Sequence, residues 1–386
     1  MSKNNNCCKK TSIGGQALME GIMMRGPEIS AMAVRNTKGE IVLEKFPTQT
    51  KERAKFFKLP IIRGLFNYID SMMMGSKCLM RSAEISGLEE AEEELRREKE
   101  AKKAAKAAKK AEKKKASSNS EESVQSVETA VDAPEANGQQ TEEQAEGDAV
   151  QSTEAKKTKD NSSLWMSVFM VISVALGLIL GVGLFILLPT FIYGGAAKIM
   201  PFLNHENPAI HSLIKSIFEG ILKIVLIVGY MSLMTLMKDI KRTFQFHGAE
   251  HKTIFCYEAG LELTVENVRK QRRFHPRCGT SFLILMILVS IFISFFIDPL
   301  FLLTLGFVPS TIFRVLIKLL LLPLIVGIGY ELIKLAGKYD NWFTKLISAP
   351  GVWLQHITVL EPDDSMIECA IAAMNEVIPE NGSDNW

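Results

Sequence analysis

Cysteine and histidine are scarce in this chain of 386 residues, with six of each. The cysteines show no paired spacing, which excludes a disulfide framework and suits a reducing compartment. No secretory leader is expected, because the first long apolar run begins only at Leu164. The Gly-rich segment at 14–21, GGQALMEG, lacks the Lys-Ser/Thr ending of a phosphate loop, so no nucleotide is expected there. Residues 87–163 carry almost no large apolar side chains and cannot build a core. The basic run Arg269-Lys270-Gln271-Arg272-Arg273 has no interleaved aromatics. It reads as a face for anionic phospholipid headgroups, and no nucleic acid is expected as a partner.

What is plentiful is apolar sequence. Hydrophobic residues make up 47% of the chain, concentrated after position 164 in four runs at 164–188, 210–237, 281–297 and 312–334. About 20 apolar residues let a helix cross ~30 Å of hydrocarbon. The first run is free of charge. In the second, Lys215, Glu219 and Lys223 recur every four residues and share one helical face, expected to line a protein interior or the membrane interface. The fourth holds Arg314 and Lys318 near its start and Glu331 near its end. Residues 299–308 either extend the third run or form a re-entrant piece.

The basic residues set the orientation. The loop 238–280 holds nine Lys and Arg, 189–209 holds only Lys198, and 298–310 holds none. With four spans, this asymmetry places both termini and the loop 238–280 on the cytoplasmic side.

Outside the spans the chain divides by composition. Residues 1–10 read as a disordered N-terminus. Residues 11–86 read as a cytoplasmic region with a β-hairpin around Asn36-Thr37-Lys38-Gly39. A helix over 61–81 follows, packed on that region or lying on the membrane. Residues 87–163 form a charged linker: 88–116 has the makings of a solvated helix, and 117–163 is disordered by composition. Residues 164–337 form the transmembrane domain. Residues 338–386 are a cytoplasmic tail with candidate interfacial anchors Trp342, Phe343 and Trp353. Its last helix, over 362–377, is capped by Asp363 or Asp364. The fold class expected is mainly α: a polytopic membrane protein with about four transmembrane helices, a small N-terminal α+β region and a C-terminal helix.

Chemistry concentrates in the loop 238–280. It contains His247-Gly248-Ala249-Glu250-His251 and His275-Pro276-Arg277-Cys278-Gly279. On a helix, His247 and His251 lie on one face and can present two imidazoles to one ion. Glu250 beside them is the expected general base of an H-x-x-E-H hydrolase. Such enzymes take a third ligand from further along the chain, and Glu331 is the reserve candidate. His275 and Cys278 resemble half of a zinc knuckle. Four N/S ligands (His247, His251, His275 and Cys278) would close a tetrahedron and mark a structural clamp. Two or three would leave a position open for catalysis. The plain alternative is that these are ordinary interfacial side chains. Cys256 lacks any cysteine-hydrolase signature, and Thr264 is expected to cap a helix.

The segments GGQALMEGIMMRGP, RGLFNYIDSMMMG, FHGAEHKTIFCYEAG, RFHPRCGTSF and EPDDSMIECAIAAM together resemble the YqhQ-like family of bacterial membrane proteins. That family is a domain of unknown function described as a predicted metal-dependent enzyme. The resemblance covers nearly everything outside the linker. It implies a bacterial cytoplasmic membrane location, and that the N-terminal GGQALMEGIMMRGP joins the same functional unit. Glu20 and Arg25 could then approach the metal loop, with packing of its glycines and methionines as the plainer role.

The expected function is a membrane protein with a divalent metal, zinc for this donor set, that hydrolyses a peptide or lipid-linked bond at the cytoplasmic face. The alternative is a non-enzymatic adaptor of another membrane protein, with a structural zinc or no metal. A transporter comes third, because few ionisable residues lie deep in the spans and no inverted repeat is visible.

Overall fold

A computed structural model describes residues 10–48, 55–87, 172–173, 175–177, 179–307, 309–339 and 341–384. The expectations for the extreme N-terminus, for both halves of the linker and for the first residues of the first apolar run lie outside the described residues. The described residues before position 90 and after position 178 form one compact unit.

The unit begins with an antiparallel meander, β1 (Gly14–Leu18), β2 (Gly21–Arg25), β3 (Ile29–Arg35) and β4 (Ile41–Pro47), in that spatial order. The expected hairpin is the β3–β4 pair, turned at Gly39 with φ 84°. A helix, α1 (Ile62–Ile85), covers one face of the sheet. There Leu18, Met23, Met32 and Val34 meet Cys78 of α1. The opposite face carries Ile22, Met24, Ala31 and Ala33 into a second core. Successive strand residues point to opposite faces, so β2 and β3 are buried on both sides and read as continuous apolar runs.

Among the described residues, three helices are long and apolar enough to cross a membrane: Ala175–Ile199, Pro208–Met234 and Gly279–Leu305. The first extends beyond the expected end at 188, through Pro189. A π-helical turn at Gly183–Leu187 widens the helix where the proline removes a donor, so the helix continues as α2 (Leu188–Ile199). The second is α3 (Pro208–Met234), started by the Asn207 side chain accepting from the Ala209 N–H. After it α4 (Lys238–Glu258) and the short α5 (Val265–Arg269) carry the polar loop, with Thr264 capping α5 as expected.

The third apolar helix, α6 (Gly279–Leu305), passes through Pro299 and ends where Gly306 adopts φ 72°. Residues up to 305 therefore extend the third run as continuous helix. The fourth run is broken: α7 (Thr311–Leu320) and α8 (Leu322–Lys338) meet at a 47° bend, beside Pro323 in the first turn of α8. Helix α9 (Trp342–Thr358) follows, started by a reciprocal cap between Asn341 and Thr344. Helix α10 (Asp364–Asn375) closes the fold, with the Asp363 side chain accepting from the Met366 N–H.

The charged face of α3 turns inward. Glu219 is buried and pairs with Lys318 of α7 at 3.1 Å and Lys215 at 3.9 Å. Arg314 of α7 pairs with Asp298 of α6 at 2.8 Å. Ionisable groups among apolar helices need partners, and these supply them. Helix α10 seals the other side of the sheet, packing Met366, Ile367 and Ala370 on β2, β3 and Phe246 of α4. The sheet, α10 and α4 thus share one core, and that core fixes the polar loop.

Candidate metal centre

Helix α4 carries the first motif into this core, where Glu250 and His251 are buried. The i, i+4 spacing brings the rings of His247 and His251 to a centroid separation of 4.5 Å. Cys278 is the N-cap residue of α6, at the positive end of the helix dipole, which favours a thiolate. The donor atoms of His247, His251 and Cys278 lie within 4.8 Å of one another, the group of this kind that the described residues form. Nε2 of His247 is 3.0 Å from Cys278 Sγ.

The outer nitrogens of both imidazoles are tied down. Nδ1 of His247 lies 3.0 Å from the Thr358 carbonyl oxygen, and Nδ1 of His251 lies 2.5 Å from that of Arg273. A carbonyl only accepts, so each Nδ1 carries the hydrogen. Each Nε2 is left to face the group. Metal-binding imidazoles are oriented in this way by a backbone oxygen behind the ring. Two imidazoles and a thiolate, buried and so oriented, fit zinc or a similar divalent ion.

The surroundings keep these donors in place. Gly248 lies against the chain after α9: a Cβ built there would stand 2.0 Å from the Leu360 carbonyl oxygen. Leu360 N–H donates to the Phe244 carbonyl at 2.9 Å. The glycine of the first motif thus allows the close approach that delivers the Thr358 carbonyl to His247. Gln355 of α9 accepts from the His275 N–H at 2.8 Å and donates to the His275 carbonyl at 2.7 Å, which fixes the loop ahead of Cys278.

The structure does not bring all expected donors together. His275 is buried but faces elsewhere. Its Nδ1 accepts from the Arg277 N–H at 3.3 Å, and its Nε2 is 3.2 Å from Arg277 Nη2 and 4.0 Å from Glu258 Oε2. Gln355 holds both peptide groups of His275, which sends the ring to the Arg277–Glu258 pair and not to the sulfur. Glu331 on α8 accepts two hydrogen bonds from Arg63 of α1, Nε at 2.7 Å and Nη2 at 2.5 Å, and is not part of the group. Glu20 pairs with Arg242 at the start of α4, and Arg25 donates to Ser71 Oγ at 3.0 Å. Neither reaches the donors. Gly15 of the same N-terminal motif does approach: a Cβ on it would lie 3.0 Å from the Glu250 carboxyl carbon, and its N–H donates to that carboxylate. A side chain is thus missing from β1 where the glutamate needs room.

Electrostatics separate these groups. Burial alone would push His247 down. The Cys278 sulfur beside it overcomes this and holds it up at about 9. Burial would likewise raise the Cys278 thiol, but His247 and His251 hold it well below its ordinary value. Burial pushes Glu250 up, partly opposed by the two imidazoles. Burial, reinforced by His251, Arg277 and Arg272, pushes His275 well down, so it is neutral. Burial lifts Cys78 and Cys369 to about 11 and also raises Cys256. Alkylation after chelator treatment at pH 7 is therefore expected to modify Cys278 before Cys78, Cys256 or Cys369, read by peptide mass mapping, because only the thiolate reacts.

A family model described as "Protein of unknown function (DUF1385)" matches residues 59–380. The chain belongs to this family. It is 31% identical over 369 residues to the "Uncharacterized protein YqhQ" of Bacillus subtilis (strain 168), spanning 95% of this chain and 92% of that one. No solved structure matches it. The family match includes His247, Glu250, His251 and Cys278, whereas Gly15 lies before its first residue.

Sequence reasoning missed Gln355, Thr358 and Gly15. The first two sit on α9, three residues apart, and nothing in their local sequence marks them as facing the loop. The glycine in HGAEH was a legible signal of close packing.

Proposed function

We propose that the chain is a membrane-embedded, metal-dependent hydrolase. It would cut a peptide or lipid-linked bond at the membrane surface, with His247, His251 and Cys278 holding a divalent metal, zinc by donor type. The convergence of two carbonyl-oriented imidazoles and one cysteine at a helix N-terminus carries this reading. Three protein donors leave a tetrahedral ion one position short, as catalytic zinc sites do. Bound there, the metal would supply Lewis acidity. Glu250 moves the proton. Its carboxylate takes a proton from the attacking water and returns it to the leaving atom, so water is consumed and the bond is cut. A carboxyl raised by burial sits nearer the working pH for both transfers.

The outward surfaces support membrane insertion. Phe191, Leu303 and Ile312 are each more than three-quarters exposed on the apolar helices. Large apolar side chains so exposed on apolar helices are stable against lipid and not against water. The basic loop 238–280 supports a centre on the cytoplasmic side of a bacterial inner membrane, with both termini on that side.

The test is spectroscopic. Cobalt-substituted protein is expected to show thiolate-to-cobalt absorption that shifts on adding acetohydroxamate, because the fourth position is open to an outside ligand. An unshifted spectrum would favour the adaptor with a closed structural ion. Glu250→Gln is expected to keep the metal and the shift while losing hydrolysis by about 100-fold or more, measured on a substrate found by lipid and peptide profiling.

A further inference from the structure

Three of the four cations in the basic run 269–273 have carboxylate partners. Arg269 pairs with Asp364, Lys270 with Glu266 and Arg273 with Glu361. Among the described residues no carboxylate pairs with Arg272. Its guanidinium lies instead over the Phe255 ring, 4.3 Å from the centroid. A guanidinium stacked on an aromatic face keeps its N–H edge for another partner.

That edge stands at a cavity of about 600 Å³. Among the described residues, Lys10, Arg272, Arg277 and Lys345 line it together with the carboxylate of Glu258. Arg277 is paired with Glu258, and two of the four also donate to backbone carbonyls. Lys10 Nζ donates to the carbonyl of Gly337 at 3.2 Å, at the end of α8, and Arg277 Nη1 donates to that of Thr11 at 2.8 Å. The remaining wall mixes small residues with the aromatics Phe255, Phe274, Tyr339 and Trp353, the last two exposed. Such residues sit at headgroup level in membrane proteins. Cations beside exposed aromatics suit a ligand with an anionic head and an apolar body.

We infer that this cavity binds the phosphate of an anionic phospholipid headgroup. The inference rests on the proposed membrane location. It deepens the hydrolase reading, because His275 forms part of the cavity wall and its ring centroid is 5.5 Å from that of His251. On the hydrolase reading, a headgroup held there lies across the His275 ring from His251, which points to a phosphate-bearing lipid as the substrate class.

Titration calorimetry on the detergent-solubilised full chain tests this with dihexanoyl phosphatidylglycerol, dihexanoyl phosphatidylcholine and inorganic phosphate. Phosphatidylglycerol is expected to bind at least about ten-fold tighter than phosphatidylcholine, the discrimination of one desolvated charge interaction. Arg272→Gln and Lys10→Gln are each expected to remove most of that preference. Lys270→Gln, in an exposed pair, should keep it. Competition by inorganic phosphate at concentrations below those of the lipid would support the site and name a soluble phosphate as its source. Binding of the lipid without such competition would name the headgroup. Equal affinity for the two lipids, or unchanged affinity in both Arg272→Gln and Lys10→Gln eluting as folded protein, would overturn the inference. His251→Ala is expected to lose the metal and keep phosphatidylglycerol binding, so failure of the metal reading is told apart from failure of this one.

Discussion

His251→Ala and Cys278→Ser should each take the purified protein from about one metal ion per chain to nearly none, while His275→Ala and Glu331→Gln keep it. The first pair removes donors from a three-member group. Two remaining donors do not hold an ion against dialysis, since loss of even an orienting partner costs 10–100-fold in affinity by general experience. The second pair removes side chains with other partners, Arg277 and Glu258 for His275, Arg63 for Glu331. Plasma mass spectrometry on protein purified without a histidine tag gives the count. Loss of metal in His275→Ala would restore the closed four-ligand clamp that the sequence leaves open. Retention in Cys278→Ser would remove the centre altogether.

Gly248→Ala should destabilise the chain by about 3 kcal/mol or more, since the new methyl meets a carbonyl oxygen 2.0 Å away and has no side chain to push aside. The backbone at Leu360 must retreat, and the Thr358 carbonyl that orients His247 moves with it. A fall of about 10 °C in thermal midpoint is expected for a domain of this size, together with weaker metal retention. Gly229→Ala on α3 is the control. Nothing lies within 4 Å of its Cβ position, so no loss is expected. A normal midpoint in Gly248→Ala would show that the α4 crossing is looser than the structure has it.

The two predictions depend on different kinds of information. The pairing of His247 with His251 was legible because four residues is one helical turn, and local geometry fixes it. Apolar runs of about bilayer length marked the helices, and the first continues past its expected end at 188. The π-helical turn that lets the chain pass Pro189 has no simple sequence signature. The β3–β4 hairpin and the caps at Thr264 and Asp363 were equally local, carried by a turn and by side chains that bond backbone two or three residues away.

Position in three dimensions was not local. The sequence offered His275 and Cys278 as a knuckle pair and Glu331 as a distant ligand. Spacing says how far apart two side chains can be, and it does not say which competitor holds each. Gln355 holds the His275 backbone while Arg277 engages its ring, and Arg63 holds Glu331; these partners come from α9, the loop itself and α1. Arg272 is a similar case: its neighbours in sequence are neutralised by carboxylates from elsewhere in the fold, and it alone is left at the cavity. By itself the sequence determined a mainly helical, strongly apolar chain with two imidazoles and a glutamate on one turn. Only the tertiary structure decided that Cys278, and not His275 or Glu331, comes together with the two imidazoles, because the packing of α4 against α10, the sheet and the chain after α9 sets which backbone oxygens and which charges each side chain meets.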